Sequence, residues 1–252
     1  MRFHFISSEN PEAKKALKEF KERYKQSKIE DSDAIIAIGG DGMLLKALRN
    51  SLEAKIPVFG LNKGNVGFLM NELSYKDLEK RVSIADKVIT HPLKMKANNI
   101  NGEIVTESAV NEVSLSRQTH QAAHLKISID DKERLRELVC DGILVSTPIG
   151  STAYNLSAHG PIIPLNSNIL ALTPISAFRP RRWKGALLPE NVKITIEILD
   201  FKRRTVSATA DNIEARNIKE IEIFADKNKT LTLLHDPGHS LDERIMREQF
   251  LT

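Results

Sequence analysis

Asp33-Ala-Ile-Ile-Ala-Ile-Gly-Gly-Asp-Gly42 passes from a continuous apolar run into glycines around one carboxylate, and Leu44, Leu45, Leu48 and Leu52 follow at helical spacing. An unbroken apolar run of this kind reads as a strand buried on both faces, as in a parallel sheet, so the stretch predicts strand, glycine loop, helix. Upstream, Met1 to Ile6 predicts a short strand, and Pro11 to Gln26 predicts a helix with Pro near its start. Ala13, Ala16, Leu17, Phe20 and Tyr24 make its core-facing stripe. Downstream, Ile56 to Leu61 predicts another buried strand that opens into Asn62-Lys63-Gly64-Asn65-Val66-Gly67-Phe68, so strand, glycine loop and helix are expected to recur. The charged segment Ser74 to Ala85 reads as helical.

From about Leu93 the texture changes to short strands divided by turn residues, with Asn101-Gly102 and Asp130-Asp131 as hairpin signals. Val192, Ile194, Ile196 and Ile198 alternate with Lys193, Thr195 and Glu197, which predicts a strand with one buried face. Ile221 and Ile223, then Leu231 and Leu233, continue the alternation until Asp236-Pro237-Gly238 interrupts it. A last helix is expected from Ser240, whose spacing to Glu243 forms a capping box, with Leu241, Ile245, Met246 and Phe250 turned back toward the first domain. The expected division is an α/β domain over residues 1–92, with 236–252 packing back on it, and a β-rich domain over 93–235.

The 252 residues, 41% hydrophobic and 28% charged, suit a soluble protein of one or two domains and exclude disordered and fibrous classes. No run approaches the roughly 18 apolar residues of a membrane span, and the start has no apolar signal core, so a cytoplasmic protein is expected. Cys140 is the only cysteine, which rules out an internal disulfide and a thiolate zinc cluster. Thirty-seven basic and 33 acidic residues give a net charge of +4, too mild to demand nucleic acid and compatible with an anionic small-molecule substrate.

Three segments carry chemistry. Gly39 to Gly42 sits between a strand and a helix, where backbone N–H groups converge on phosphate oxygens. Asp41 there would repel phosphate unless it acts as a base, binds a metal or holds a sugar hydroxyl; the alternative is a turn in which Asp41 caps the helix. Asn111-Glu112 interrupts the apolar stretch Ala109 to Leu115, and an amide with a carboxylate supplies the donors and acceptors for adenine edges and ribose hydroxyls. A bond to a neighbouring loop is the plainer reading. Asp141 to Ser157 is a strand entering a Gly-Ser-Thr helix start that again suits a nucleotide, although Ser151 and Thr152 also read as caps and Tyr154 as core. The chain contains neither a Walker pattern nor a complete G-x-G-x-x-G. The histidines lack metal-ligand spacing, and Arg179, Arg181, Arg182, Trp183 and Lys184 read as a solvated basic loop or a contact to phosphate or a neighbouring subunit.

Together, GGDG at Gly39 to Gly42, GLNKGNVGFL at Gly60 to Leu69, AVNEVSL at Ala109 to Leu115 and DGILVSTPIGSTAYNLSAHGP at Asp141 to Pro161 closely resemble the NAD kinase family. The resemblance implies an N-terminal Rossmann-like α/β domain, a C-terminal β-sandwich-like domain, and transfer of the ATP γ-phosphate to the 2'-hydroxyl of NAD. Asp41 would be the base or orienter for that hydroxyl, with Gly42 and Lys46 beside the phosphates. Asn111 and Glu112 would bind the nucleotide, Asn111 at adenine. Phe68, Thr152, Ala153, Tyr154 and Ser157 would complete the adenine pocket, with Asn155 and Leu156 in the same binding loop. Asp141 would address the nicotinamide end, in relatives often across a subunit interface, and Asp211-Asn212 matches a later NAD contact. The chain departs from the family pattern at Val139, where relatives often have Arg, and at Ile149, where they have a small hydroxyl residue. The resemblance further implies Mg²⁺ carried with ATP and no dedicated metal residue, a homo-oligomer, and no nucleic-acid or membrane partner. A lipid kinase sharing GGDG and a non-catalytic dinucleotide-binding module are the rival readings.

Overall fold

The structure is a computed structural model and describes residues 1–63, 68–181 and 183–237. The chain divides into two compact units, one formed by Met1–His91 with the segment from Asn228 onward and the other by Pro92–Lys227. The helix expected from Ser240 lies outside the described residues, as do Gly64 to Gly67 and Arg182.

In chain order the elements are β1 (Phe3–Ser7), α1 (Pro11–Arg23), β2 (Ala34–Gly39), α2 (Asp41–Ala54), β3 (Val58–Asn62), α3 (Leu78–Ile84), β4 (Asp86–Thr90), β5 (Leu93–Asn99), β6 (Ile104–Ala109), β7 (Glu112–Arg117), β8 (Ala123–Ile129), β9 (Lys132–Cys140), β10 (Gly142–Ser146), α4 (Tyr154–Ser157), β11 (Ile169–Ile175), β12 (Ala186–Pro189), β13 (Ile194–Ile198), β14 (Val206–Ala210), β15 (Ile213–Ala215), β16 (Ile218–Ala225) and β17 (Leu231–His235).

The first unit is built on a sheet of order β1-β2-β3-β17-β4, parallel except for β4. β2 is buried along its whole length because it is an interior strand of a parallel sheet. Asn10 caps α1 by accepting the Glu12 N–H at 2.8 Å, with Pro11 next to it, and Ala13, Ala16 and Phe20 form the buried stripe. The helix stops at Arg23, short of the expected Gln26, because Tyr24 is extended and Gln26 and Ser27 pair instead with Phe3. α2 follows β2 directly and buries Met43, Leu44, Ala47, Leu48 and Leu52.

Two expectations are corrected here. No helix follows the second glycine loop directly: Phe68 to Asp77 is irregular, and α3 begins only at Leu78. The strand carrying Leu231 and Leu233 belongs to the α/β unit and not to the β-rich one, so that unit ends at Lys227 rather than 235. The physical reason is that Leu231, Leu233 and Leu234 are all buried, and a strand with adjacent buried residues needs cover on both faces. Fully burying each leucine is worth roughly 1.5–3 kcal/mol, which favours the place between β3 and β4. Asn71 secures it: its amide donates to the Gly60 and Leu234 carbonyls at 3.0 Å each, and its Oδ1 accepts the Asp236 N–H at 2.9 Å.

The second unit consists of two six-stranded antiparallel sheets, β12-β11-β10-β7-β14-β15 and β6-β5-β16-β13-β8-β9. Val113, Leu115, Ile143 and Val145 of the first sheet share one core with Met95, Leu125, Ile194, Ile196, Ile221 and Ile223 of the second, the construction of a β-sandwich. β13 shows the expected alternation. Asn101-Gly102 and Asp130-Asp131 make the expected hairpins, the latter with both residues at positive φ, 50° and 61°. The outer strand β9 exposes Lys132, Glu133, Arg134, Arg136 and Glu137, charges that protect a sheet edge from further pairing.

Candidate nucleotide site

In the α/β unit, β2 delivers the chain into the start of α2. Gly40 is the N-cap and Asp41 the first helical residue, so Asp41 does not cap the helix. Its carboxylate reaches a segment distant in sequence instead: Oδ2 accepts the Phe68 N–H at 2.9 Å and Oδ1 the Leu69 N–H at 3.1 Å. The glycine loop is thereby tied to the end of the second one. Gly42 is exposed, and a side-chain carbon there would meet nothing within 4 Å, which leaves open space beside the helix N-terminus. Lys46 is exposed on the same helix and Phe68 half-buried. A positive helix end with a nearby lysine suits phosphate oxygens.

In the β-sandwich unit, Val110 and Asn111 form the bend that carries the chain from β6, in one sheet, to β7, in the other. Its backbone is pinned from both sides. The Asp211 carboxylate accepts the N–H groups of Val110, Asn111 and Glu112 at 2.8, 2.9 and 3.3 Å. On the opposite side, Thr147 Oγ1 donates to the Val110 carbonyl at 2.7 Å, and the Thr147 N–H donates to the Asn111 carbonyl at 2.9 Å. Gly150 lies so close that a side-chain carbon would sit 2.2 Å from the Asn111 carbonyl oxygen. The side-chain amide of Asn111 takes part in none of these bonds.

Glu112, at the start of β7, is 9% exposed, and its Oε2 is buried without a hydrogen-bond partner. Burial first, and the charge of Asp211 second, push its carboxyl up to about 7. Near neutral pH it therefore offers both a donor and an acceptor.

The Gly-Ser-Thr segment enters as a 3-10 turn, Ile149–Thr152, followed by the single turn of α4. The cap reading fails for Ser151: neither the turn nor α4 has a side-chain cap, and its hydroxyl instead donates to the Pro148 carbonyl at 2.7 Å and accepts the Ile163 N–H at 3.1 Å. The core reading fails for Tyr154, which is 40% exposed. Thr152, Ala153 and Leu156 are half-buried and Ser157 exposed. Asn155 behaves otherwise: it is fully buried, donates to the Ser151 and Pro161 carbonyls at 3.1 and 2.8 Å, and accepts the Thr173 hydroxyl at 2.7 Å. Its side chain is the internal tie of the loop. Asp141 is half-exposed at the foot of β10 and accepts Arg117 Nε at 2.5 Å. Asn212 is exposed in the turn between β14 and β15.

Arg179 and Arg181 lie over the exposed ring of Phe178 in a solvated loop. His91 bonds the Lys229 carbonyl and His124 pairs with Glu137. Burial pushes the Cys140 thiol up to about 12, so it is no thiolate nucleophile. Sequence reasoning missed Thr147 and the clamp formed by Asp211. The Asp-Asn pair signals a turn, but nothing local says which amides that turn will face.

An α/β unit with a phosphate-type helix start, in one chain with a sandwich that presents an amide and a carboxyl on a pinned bend, is the build of a two-domain nucleotide kinase. Residues 2–93 match the ATP-NAD kinase N-terminal domain and residues 110–232 the ATP-NAD kinase C-terminal domain. The NAD kinase of Caulobacter vibrioides is 51% identical over 249 residues, covering 99% of this chain and 96% of that protein. The NAD kinase of Hyphomonas neptunium is 49% identical over 250 residues, covering 99% and 98%. The chain belongs to the NAD kinase family. A yeast NADH kinase complexed with NADH has the same fold, with a TM-score of 0.85 at 20% identity over all of this chain and 88% of that one. An NAD kinase from Archaeoglobus fulgidus in complex with ATP gives 0.71 at 23% identity over 98% and 96%.

Proposed function

We infer that the protein is an NAD kinase, transferring the γ-phosphate of ATP to the 2'-hydroxyl of the adenosine ribose of NAD to give NADP and ADP. The observation that carries this reading is the Val110–Glu112 bend, whose backbone is fastened while the Asn111 amide stays outside those bonds and the Glu112 carboxyl is buried with an unpartnered oxygen. A membrane-lipid acceptor has no use for such a pair. Among the described residues no helix is long and apolar enough to cross a membrane.

In this reading Asn111 pairs with the adenine edge and Glu112 with ribose hydroxyls, while Phe68, Thr152, Ala153, Tyr154, Leu156 and Ser157 enclose the base. Asp141, held by Arg117, and Asn212 meet the nicotinamide end. Asp41 orients the 2'-hydroxyl and takes its proton as the O–P bond forms, and Gly42 and Lys46 hold the donor phosphates. Phosphoryl transfer asks mainly for in-line positioning and charge neutralisation, which fits residues fixed by backbone bonds and no covalent nucleophile. Mg²⁺, which keeps few protein ligands when it travels with phosphates, would accompany the donor. Bound there, it neutralises phosphate charge.

Purified protein incubated with NAD, ATP and Mg²⁺ should form NADP; NAD binding without NADP would instead favour a non-catalytic module. We place the protein in the cytoplasm as a homo-oligomer with shared sites. Mixing inactive Asp41→Asn with inactive Asp141→Ala chains should restore activity, and no recovery after verified subunit exchange would reject shared sites.

A further inference from the structure

The presentation of Asn111 and Glu112 traces to a residue that lies outside their bend. Asp211 stands at the end of β14, where its N–H continues the ladder with β7 by donating to the Glu112 carbonyl at 3.1 Å. Its backbone is in the left-handed region, φ 51°, a conformation that Asp and Asn tolerate better than other side chains. In that position its carboxylate meets three successive N–H groups, those of Val110, Asn111 and Glu112. Consecutive amides aimed at one point form an anion nest, and here the protein fills the nest with its own carboxylate. The bonds are charge-assisted and fix the three backbone units whose side chains the dinucleotide reading uses.

We propose that Asp211 is a positioning residue for the dinucleotide: it acts through Asn111 and Glu112 by holding their backbone in one orientation. This rests on the dinucleotide reading above. A residue that only braced the β14–β15 hairpin would affect stability and leave the folded protein's affinity for NAD unchanged. A positioning residue shifts that affinity without joining the chemistry.

The test is Asp211→Asn, which is nearly isosteric, keeps one acceptor oxygen, tolerates positive φ, and turns an NH₂ group toward the amides it must face. NAD affinity is measured by calorimetry and turnover by NADP formation with saturating ATP. The expected result is a rise of about tenfold in Kd and KM for NAD, with kcat within about threefold of the parent and the KM for ATP unchanged. In an Asn111→Ala background the same substitution should raise the Kd by less than about threefold, because the main group it positions is gone. If Asp211→Asn does not fold, Asp211→Glu, which keeps the charge and moves it by one methylene, takes its place with the same expectations. An unchanged Kd for NAD, an equal loss in the Asn111→Ala background, or a fall in kcat with KM unchanged would overturn the proposal. A parent protein that binds no NAD would overturn the dinucleotide reading itself, and the proposal with it.

Discussion

Replacing Asp41 by Asn removes one acceptor oxygen from a carboxylate that holds two backbone amides, those of Phe68 at 2.9 Å and Leu69 at 3.1 Å. The amide side chain can keep one of these bonds and must turn its NH₂ toward the other N–H. Hydrogen bonds to a charged group are worth about 1.5–3 kcal/mol, so the α/β unit should lose about 1–3 kcal/mol of stability. The effect on catalysis is larger. An amide does not accept a proton at neutral pH, and loss of a general base costs about 10²- to 10⁴-fold, or about 3–5 kcal/mol of barrier at 1.36 kcal/mol per decade. Single-turnover phosphorylation of NAD at saturating ATP and Mg²⁺, with NAD affinity by calorimetry and stability by urea denaturation, separates the two losses. The expected outcome is a folded variant that binds NAD within a few-fold of the parent and turns over at least a hundredfold more slowly. A rate within a few-fold of the parent would refute the assignment and leave Asp41 as the tie between two loops.

Glu112, raised from 4.5 to about 7, favours its protonated form in the folded state, so the stability it contributes is complete below about pH 4.5 and disappears as pH rises through about 7. In unliganded protein, the stability of the parent relative to Glu112→Gln should fall by about 3 kcal/mol over that window, and a flat difference would reject a buried, shifted carboxyl. Gly150→Ala places a carbon 2.2 Å from the Asn111 carbonyl oxygen and 2.6 Å from its Cα, backbone atoms that cannot swing away. It should cost about 1–3 kcal/mol of stability in denaturant and weaken NAD binding about tenfold; parent-like values for both would mean the bend is free to shift.

The strand-loop-helix at residues 33–54 was legible because a doubly buried strand must be apolar at every position, and β2 is. The hairpins at Gly102 and Asp130-Asp131 were legible because few residues adopt positive φ. β17 was misplaced because Leu231 and Leu233 fit an alternating pattern; Leu234, buried beside them, was the available sign of a two-sided strand. The candidate site was readable as residue types and not as bonds. Asp41 capping its own helix and Asp41 bonding Phe68 and Leu69 require the same local sequence, and long-range pairing alone decides between them. Asn155 carries no mark separating it from Thr152 or Tyr154, because its burial depends on bonds to Ser151 and Pro161 in its own segment and to Thr173 on another.

The seat of β17 between β3 and β4 has a consequence for how the protein is made. Pro92–Lys227 is continuous in sequence and holds its whole sandwich, so a chain leaving the ribosome can complete it at once. The α/β unit cannot close then, because its sheet lacks an interior strand until residues 231–235 emerge. At about 5–20 residues per second, the edge of β4 waits roughly 7–29 s and that of β3 roughly 9–35 s for β17 to be synthesised. The exposed rim of the nascent sheet is the aggregation hazard of this architecture, and the last-translated strand among the described residues is the one that removes it.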